Sequence, residues 1–69
     1  MSMLPERLRE LRKEQNLTQE EAAHGAGIVL RSYRRYEAGE REPVASTLIL
    51  LADFYHVTID YLVGRTDQR

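Results

Sequence analysis

Three features of this 69-residue sequence predict an all-α domain of five short helices. Apolar residues recur at spacings of three and four, the period of a helix with one buried face. Sustained alternation of apolar and polar residues, the mark of a half-buried strand, is missing. Helix-start residues and glycines follow one another along the chain in the order of caps and stops. Composition limits the alternatives. The hydrophobic fraction is 42%, and a chain of this size buries only about 60% of its unfolded surface, so each apolar stripe has to be used. There is no cysteine, which excludes disulfides and thiolate-held metals and fits a reducing, cytoplasmic compartment. His24 and His56 alone make no metal site, and no cofactor is expected. The chain turns charged at Glu6, before any apolar segment of a signal peptide forms. The longest apolar run, residues 48–52, is too short to cross a bilayer.

The elements follow in order. Leu4, Leu8 and Leu11 stand at i, i+4 and i+7, with Pro5 suited to a first helical position. They predict a helix to about Gln15, with Asn16 as terminator. Thr18 and Glu21 form a capping box, in which the hydroxyl takes an orphan N–H and the carboxylate reaches back. A second helix therefore starts at Thr18 and stops near Gly27, a natural left-handed exit. Gly25 inside it costs about 1 kcal/mol relative to Ala. A third helix covers Leu30 to Ala38, closed by Gly39, and "GEREP" is loop. The fourth runs from Ala45 to Tyr55, with Leu48, Leu51, Ala52 and Tyr55 on one face. Thr58 caps a last turn through Leu62, with Asp60 favourably placed against the helix dipole. Residues 1–64 form one domain on this reading, and residues 65–69 a short polar tail.

The formal net charge is -1, yet the charge is sorted. Arg31, Arg34, Arg35 and Arg41 face only Glu37 and Glu40 in their stretch, and Tyr33 and Tyr36 are interleaved with them. Arginines three and four apart share one side of a helix. Such a stripe is either a solvated face paired with glutamates or a surface that awaits an anion. The connection before it is informative. About three residues join the second and third helices, too few for an extended antiparallel hairpin and suited to a helix-turn-helix.

Gln19, Ala23, Gly27, Tyr33 and Tyr36 recur in that unit at fitting intervals, within "LRELRKEQNLTQEEAA", "YEAGEREP" and "LADFYHVTIDYLVG" in that order. Over residues 6–64 the chain resembles the Cro/phage-repressor helix-turn-helix family, the xenobiotic-response-element type of bacterial regulators. The resemblance implies a five-helix, lambda-repressor-like domain that binds double-stranded DNA and regulates transcription, as a repressor, with the third helix in the major groove. It also implies that Leu30, Arg31, Arg34 and Arg35 point outward, while Tyr33, Tyr36 and Glu37 turn to the core. The chemistry agrees, since an arginine fork reaches O6 and N7 of guanine together. By the same resemblance Gln19 clamps a phosphate at the start of the second helix; otherwise it is a plain polar first-turn residue. Ser32 is a phosphate or sugar contact. Arg41 is a second phosphate contact or, alternatively, an ion pair with Glu40 or Glu42. Arg12 and Glu37 match a partly buried family ion pair that positions the third helix.

The chain departs from the family pattern at several places. Val29 stands where Ser or Thr usually caps the third helix. Ala22 is smaller and Tyr33 larger than usual, so the ring is expected to fill the space beside the alanine, and its hydroxyl then needs an outlet. Leu50 and Phe54, four apart, lie where relatives are polar or small. With Ile59, Tyr61 and Val63 they suggest a homodimer surface for a palindromic operator; the alternative is that Leu50 and Phe54 cap the core from the side. No nucleophile–base pair, metal spacing or phosphate loop points to an enzyme, and no small-molecule ligand or membrane partner is evident. The rival function is a protein-interaction module on the same fold, such as an antitoxin-like or anti-repressor-binding domain. Against it, the arginines coincide with the base-reading positions.

Overall fold

The computed structural model describes residues 2–69, which form α1 (Leu4–Glu14), α2 (Gln19–Ala26), α3 (Leu30–Ala38), α4 (Ala45–Tyr55) and α5 (Ile59–Val63). Leu4, Leu8 and Leu11 are all withdrawn from solvent, as their spacing requires, and Pro5 sits in the first turn of α1. The helix ends one residue before the expected Gln15, and Asn16 leaves it in the left-handed region at φ 57°, a conformation Asn tolerates better than most residues. The capping box forms in full. Thr18 Oγ1 accepts the Glu21 amide at 3.0 Å, and Glu21 Oε1 accepts the Thr18 amide at 2.9 Å. Thr18→Ala would forfeit about 1 kcal/mol of that.

The core lies where α1, α3, α4 and α5 converge on Leu8, Tyr33, Leu51 and Leu62, which are fully buried. α1 packs against α3 and α5, and α2 against α3 and α4. Burying one such leucine contributes roughly 1.5–3 kcal/mol. Gly25, unfavourable by propensity, has a packing reason. A Cβ built there would lie 2.4 Å from Phe54 Cε1, so the glycine lets the Phe54 ring lie against α2. Tyr33 and Ala22 are both at 0% exposure, and the Tyr33 hydroxyl meets that of Tyr55 at 2.5 Å.

Residues 65–69 are not a free tail. The Arg65 amide donates to Asp60 O at 2.8 Å, and the Thr58 amide to Arg69 O at 3.1 Å. Their anchor is Arg7, which sequence reasoning passed over. Its guanidinium stacks 4.0 Å from the Tyr61 ring centroid and donates to Tyr61 O, Thr66 O and Asp67 Oδ1, each at 2.8 Å. A basic residue on a charged helix gives no sign of such a role. The signal lies in its spacing, because Arg7 sits between Leu4 and Leu8 and Leu11 on the buried stripe.

Candidate nucleic-acid interface

The turn between α2 and α3 is set by local chemistry. Gly27 takes φ 76°, which costs glycine no steric penalty, and the Ile28 amide closes on Ala23 O at 2.9 Å. Val29 then opens α3 in extended conformation with no side-chain cap bond and 70% of its surface exposed. From there α3 divides into two faces. Arg31 and Arg34 are exposed, and Ser32 and Arg35 half-buried. Tyr33, Tyr36 and Glu37 are buried.

The inner face carries a connected polar cluster. Glu37 is 2% exposed. Arg12 donates to it twice, from Nε to Oε2 at 2.7 Å and from Nη2 to Oε1 at 3.1 Å, while its Nη1 reaches Leu17 O at 3.0 Å. This side-by-side arrangement is the strong, oriented form of the pair. Gln19 Nε2 also donates to Glu37 Oε1 at 3.1 Å. Burial alone would push the Glu37 carboxyl up, but the Arg12 bond, with help from Tyr33 and Gln19, holds it below the ordinary carboxylate range. Arg12 is held above its usual value, chiefly by the same bond. Burial raises Tyr33 well above the ordinary phenol value and Tyr55 above it, so both stay neutral. No buried side-chain nitrogen or oxygen among the described residues lacks a partner.

Several predicted site residues stand differently from expectation. Leu30 does not point fully outward. It is half-buried and packs on the core, because it shares a face with Tyr33 and Glu37 at i+3 and i+7. The Gln19 side chain turns in to Glu37. Tyr61, expected on an apolar outer face, is buried at 6% exposure beneath Arg7. Helical geometry explains this: α5 turns about 100° per residue, so Ile59 and Val63 share a side and Tyr61 lies opposite. Ile59 and Phe54 are half-buried against the core, Val63 is half-buried, and Leu50 is 44% exposed. Arg41 is exposed on the rim of a groove of about 360 Å³ that also involves Pro5, Arg9 and Tyr36. Arg9, not singled out in the sequence, donates to Glu37 O at 2.5 Å. Its place three residues before Arg12 is the signal that could have found it. Among the described residues no group of acids and histidines could hold a metal ion, and no helix is long and apolar enough to cross a membrane.

Comparison with known proteins gives one consistent picture. A family model described as helix-turn-helix matches residues 8–62. The uncharacterized HTH-type transcriptional regulator YobD of Bacillus subtilis is 45% identical over 65 residues, 94% of this chain and 58% of its own length. The cryptic phage CTXphi transcriptional repressor RstR of Vibrio cholerae is 44% identical over 62 residues, 90% of this chain and 55% of its own. The chain thus spans little more than half the length of these relatives. Among solved structures, the P22 c2 repressor in complex with a synthetic operator superposes with a TM-score of 0.86, over 96% of this chain and all of that one. At 24% identity that likeness establishes the shared fold.

Proposed function

The chain belongs to the helix-turn-helix family, and from that premise we propose that it binds double-stranded DNA sequence-specifically and regulates transcription as a repressor. The observation that carries the proposal is the division of α3. Arg31 and Arg34 stand clear of the protein and Arg35 partly so, while Glu37 and the Tyr33 hydroxyl on the opposite face are bonded within the fold. A solvated stripe paired with acids would show ion pairs on these arginines, and the salt bridges of the described residues involve Arg7, Arg12, Arg65 and Arg69 instead. α3 enters the major groove, and Arg31 and Arg35 have the reach for guanine edges. Arg34 and Ser32 contact backbone or base beside them. Leu30, half-buried, offers at most its edge to a thymine methyl.

Phosphates are held by Arg41 and by the start of α2, where the leading amides have no intrahelical acceptor. With one N–H on Glu37, Gln19 keeps its other N–H for a phosphate oxygen. One such module covers only about 600–1,000 Å² of protein surface on DNA, so selectivity calls for two copies on a palindromic operator, with half-sites about 34–36 Å apart. Leu50, with the half-buried Phe54 and the Ile59 and Val63 side of α5, is the surface for the second copy.

Selection from a random duplex pool tests the proposal. Enrichment of a palindromic sequence is the expected result. An asymmetric single site would make the protein a monomeric binder, and failure to enrich any sequence would contradict the DNA-binding function itself.

A further inference from the structure

We infer that the buried hydroxyl pair of Tyr33 and Tyr55 is a positioning device for α3, fixing the pose in which Arg31, Arg34 and Arg35 are presented. The inference rests on the DNA-binding reading above, and it assigns a role to two residues that touch no ligand.

Stability alone gives no reason for two hydroxyls at the centre of so small a core. Tyr33 is 0% and Tyr55 3% exposed, and phenylalanine would fill nearly the same volume at both positions. Replacing both partners of a buried hydrogen bond by apolar groups of the same shape is often neutral or stabilising, whereas removing one leaves a costly orphan. What the hydroxyls add is direction. An O–H···O bond of 2.5 Å fixes distance and angle between the two oxygens, and a fully satisfied buried polar pair rigidifies the core and specifies one arrangement of it.

The location of the pair gives that direction a purpose. Tyr33 lies on α3 between Arg31 and Arg34, and Tyr55 is the last residue of α4. α3 packs extensively on α1 and α2, but α3 and α4 share no such packing, so the two hydroxyls tie them across the core. Glu37, one turn after Tyr33, is bonded to Arg12 of α1 and Gln19 of α2. α3 is thereby held by oriented bonds to three helices at two consecutive turns. Arg12 and Gln19 set where its C-terminal half sits. Tyr55 sets the rotation and tilt of the half that carries the arginines. Catalogued by sequence alone, Tyr33 is a bulky replacement that needs somewhere to put its hydroxyl; in the fold that hydroxyl becomes the fixed point of the reading helix.

The test compares the whole chain as wild type, Tyr33→Phe, Tyr55→Phe and the double variant. Each is measured for urea stability and for the ratio of its affinity for a pool-selected duplex to that for random duplex, at a temperature where circular dichroism shows it folded. The single variants should lose stability and the double variant regain it. The affinity ratio of the double variant should nonetheless fall about tenfold, the size of one weakened base contact, with affinity for random DNA unchanged. A variant that is merely less stable lowers both affinities together. A double variant that keeps the wild-type ratio overturns the inference. Residual dipolar couplings of the α3 amides against those of α1 give a reading without DNA. An altered α3 orientation in the double variant, or in Tyr55→Phe alone, supports the inference, and an unchanged one overturns it. A wild type that selects no duplex while its α3 still reorients in the Phe variants contradicts only the DNA-binding reading.

Discussion

Arg7 and Arg12 stand five residues apart on the same helix, and both are drawn out of solvent, yet they bond to different parts of the molecule. Arg12 meets a counter-charge even more buried than itself: its side chain is 16% exposed and that of Glu37 2%. Arg7 is 7% exposed, but its carboxylate partner Asp67 is 98% exposed, and most of its bonds go to backbone carbonyls and an aromatic face. Arg7 binds α5 and residues 65–69 to α1. Arg12 binds α3, the helix proposed to read DNA. The difference teaches what a buried charge is for. Where only cohesion is needed, the counter-charge can be left in water. Where a helix must be held in one pose, both charges are taken inside despite a desolvation cost that can cancel their attraction.

The largest expected effect follows from removing one partner of the inner pair. Glu37→Ala leaves the Arg12 guanidinium uncompensated and should cost about 3–5 kcal/mol, read from urea unfolding. Arg7→Ala should also destabilise, through lost packing on Tyr61 and unfilled carbonyls, but at a temperature where it is folded it should keep the wild-type base preferences. A changed preference profile in Arg7→Ala would erase the distinction between the two arginines. Asp67→Asn should barely move the unfolding midpoint, since an ion pair with one partner in water contributes little. A loss comparable to that of Arg7→Ala would show that the exposed carboxylate matters after all.

Between these extremes lies pH. The Glu37 carboxyl is held below its ordinary range by Arg12 against the opposing effect of burial, so its contribution to stability is complete above the unfolded carboxylate pKa and is lost as pH falls through the lower folded value. Unfolding followed from neutral to acid pH should steepen in that window, and Glu37→Gln should flatten it. At the alkaline end the sign reverses. Tyr33 and Tyr55 are raised by burial, so their stabilisation is intact below the unfolded phenol pKa and is lost as pH rises beyond it. Tyrosinate absorbance at those two residues should therefore appear only with loss of helicity.

Much of the fold was legible because its punctuation is local. Thr18 with Glu21, Thr58, and the glycines at 27 and 39 act on backbone groups a few residues away, and the structure places each helix end within a residue or so of where they set it. The shared side of the α3 arginines was legible for the same reason, from i+3 and i+4 spacing, whereas the inward turn of Tyr33, Tyr36 and Glu37 came from the family resemblance, which set Leu30 too far outward. What could not be read is what crosses the core. Tyr55 as the partner of Tyr33, Phe54 as the reason for Gly25, and Arg7 as the anchor of residues 65–69 depend on which helix lies opposite. Tyr61 was misplaced for a different reason. Alternate apolar residues on a five-residue helix look like one patch only if the helical turn is ignored.

The central claim is that α3 reads bases through its outward arginines, and competitive binding of Arg31→Ala, Arg34→Ala and Arg35→Ala across single-base variants of a selected duplex tests it most directly. At least one variant, Arg31→Ala or Arg35→Ala first, should lose about 1–3 kcal/mol on the preferred sequence and relax preference at one position. Arg41→Ala, measured beside them, should weaken all sequences alike and flatten the salt dependence. If all three arginine variants keep the wild-type preference profile, α3 is not the reader.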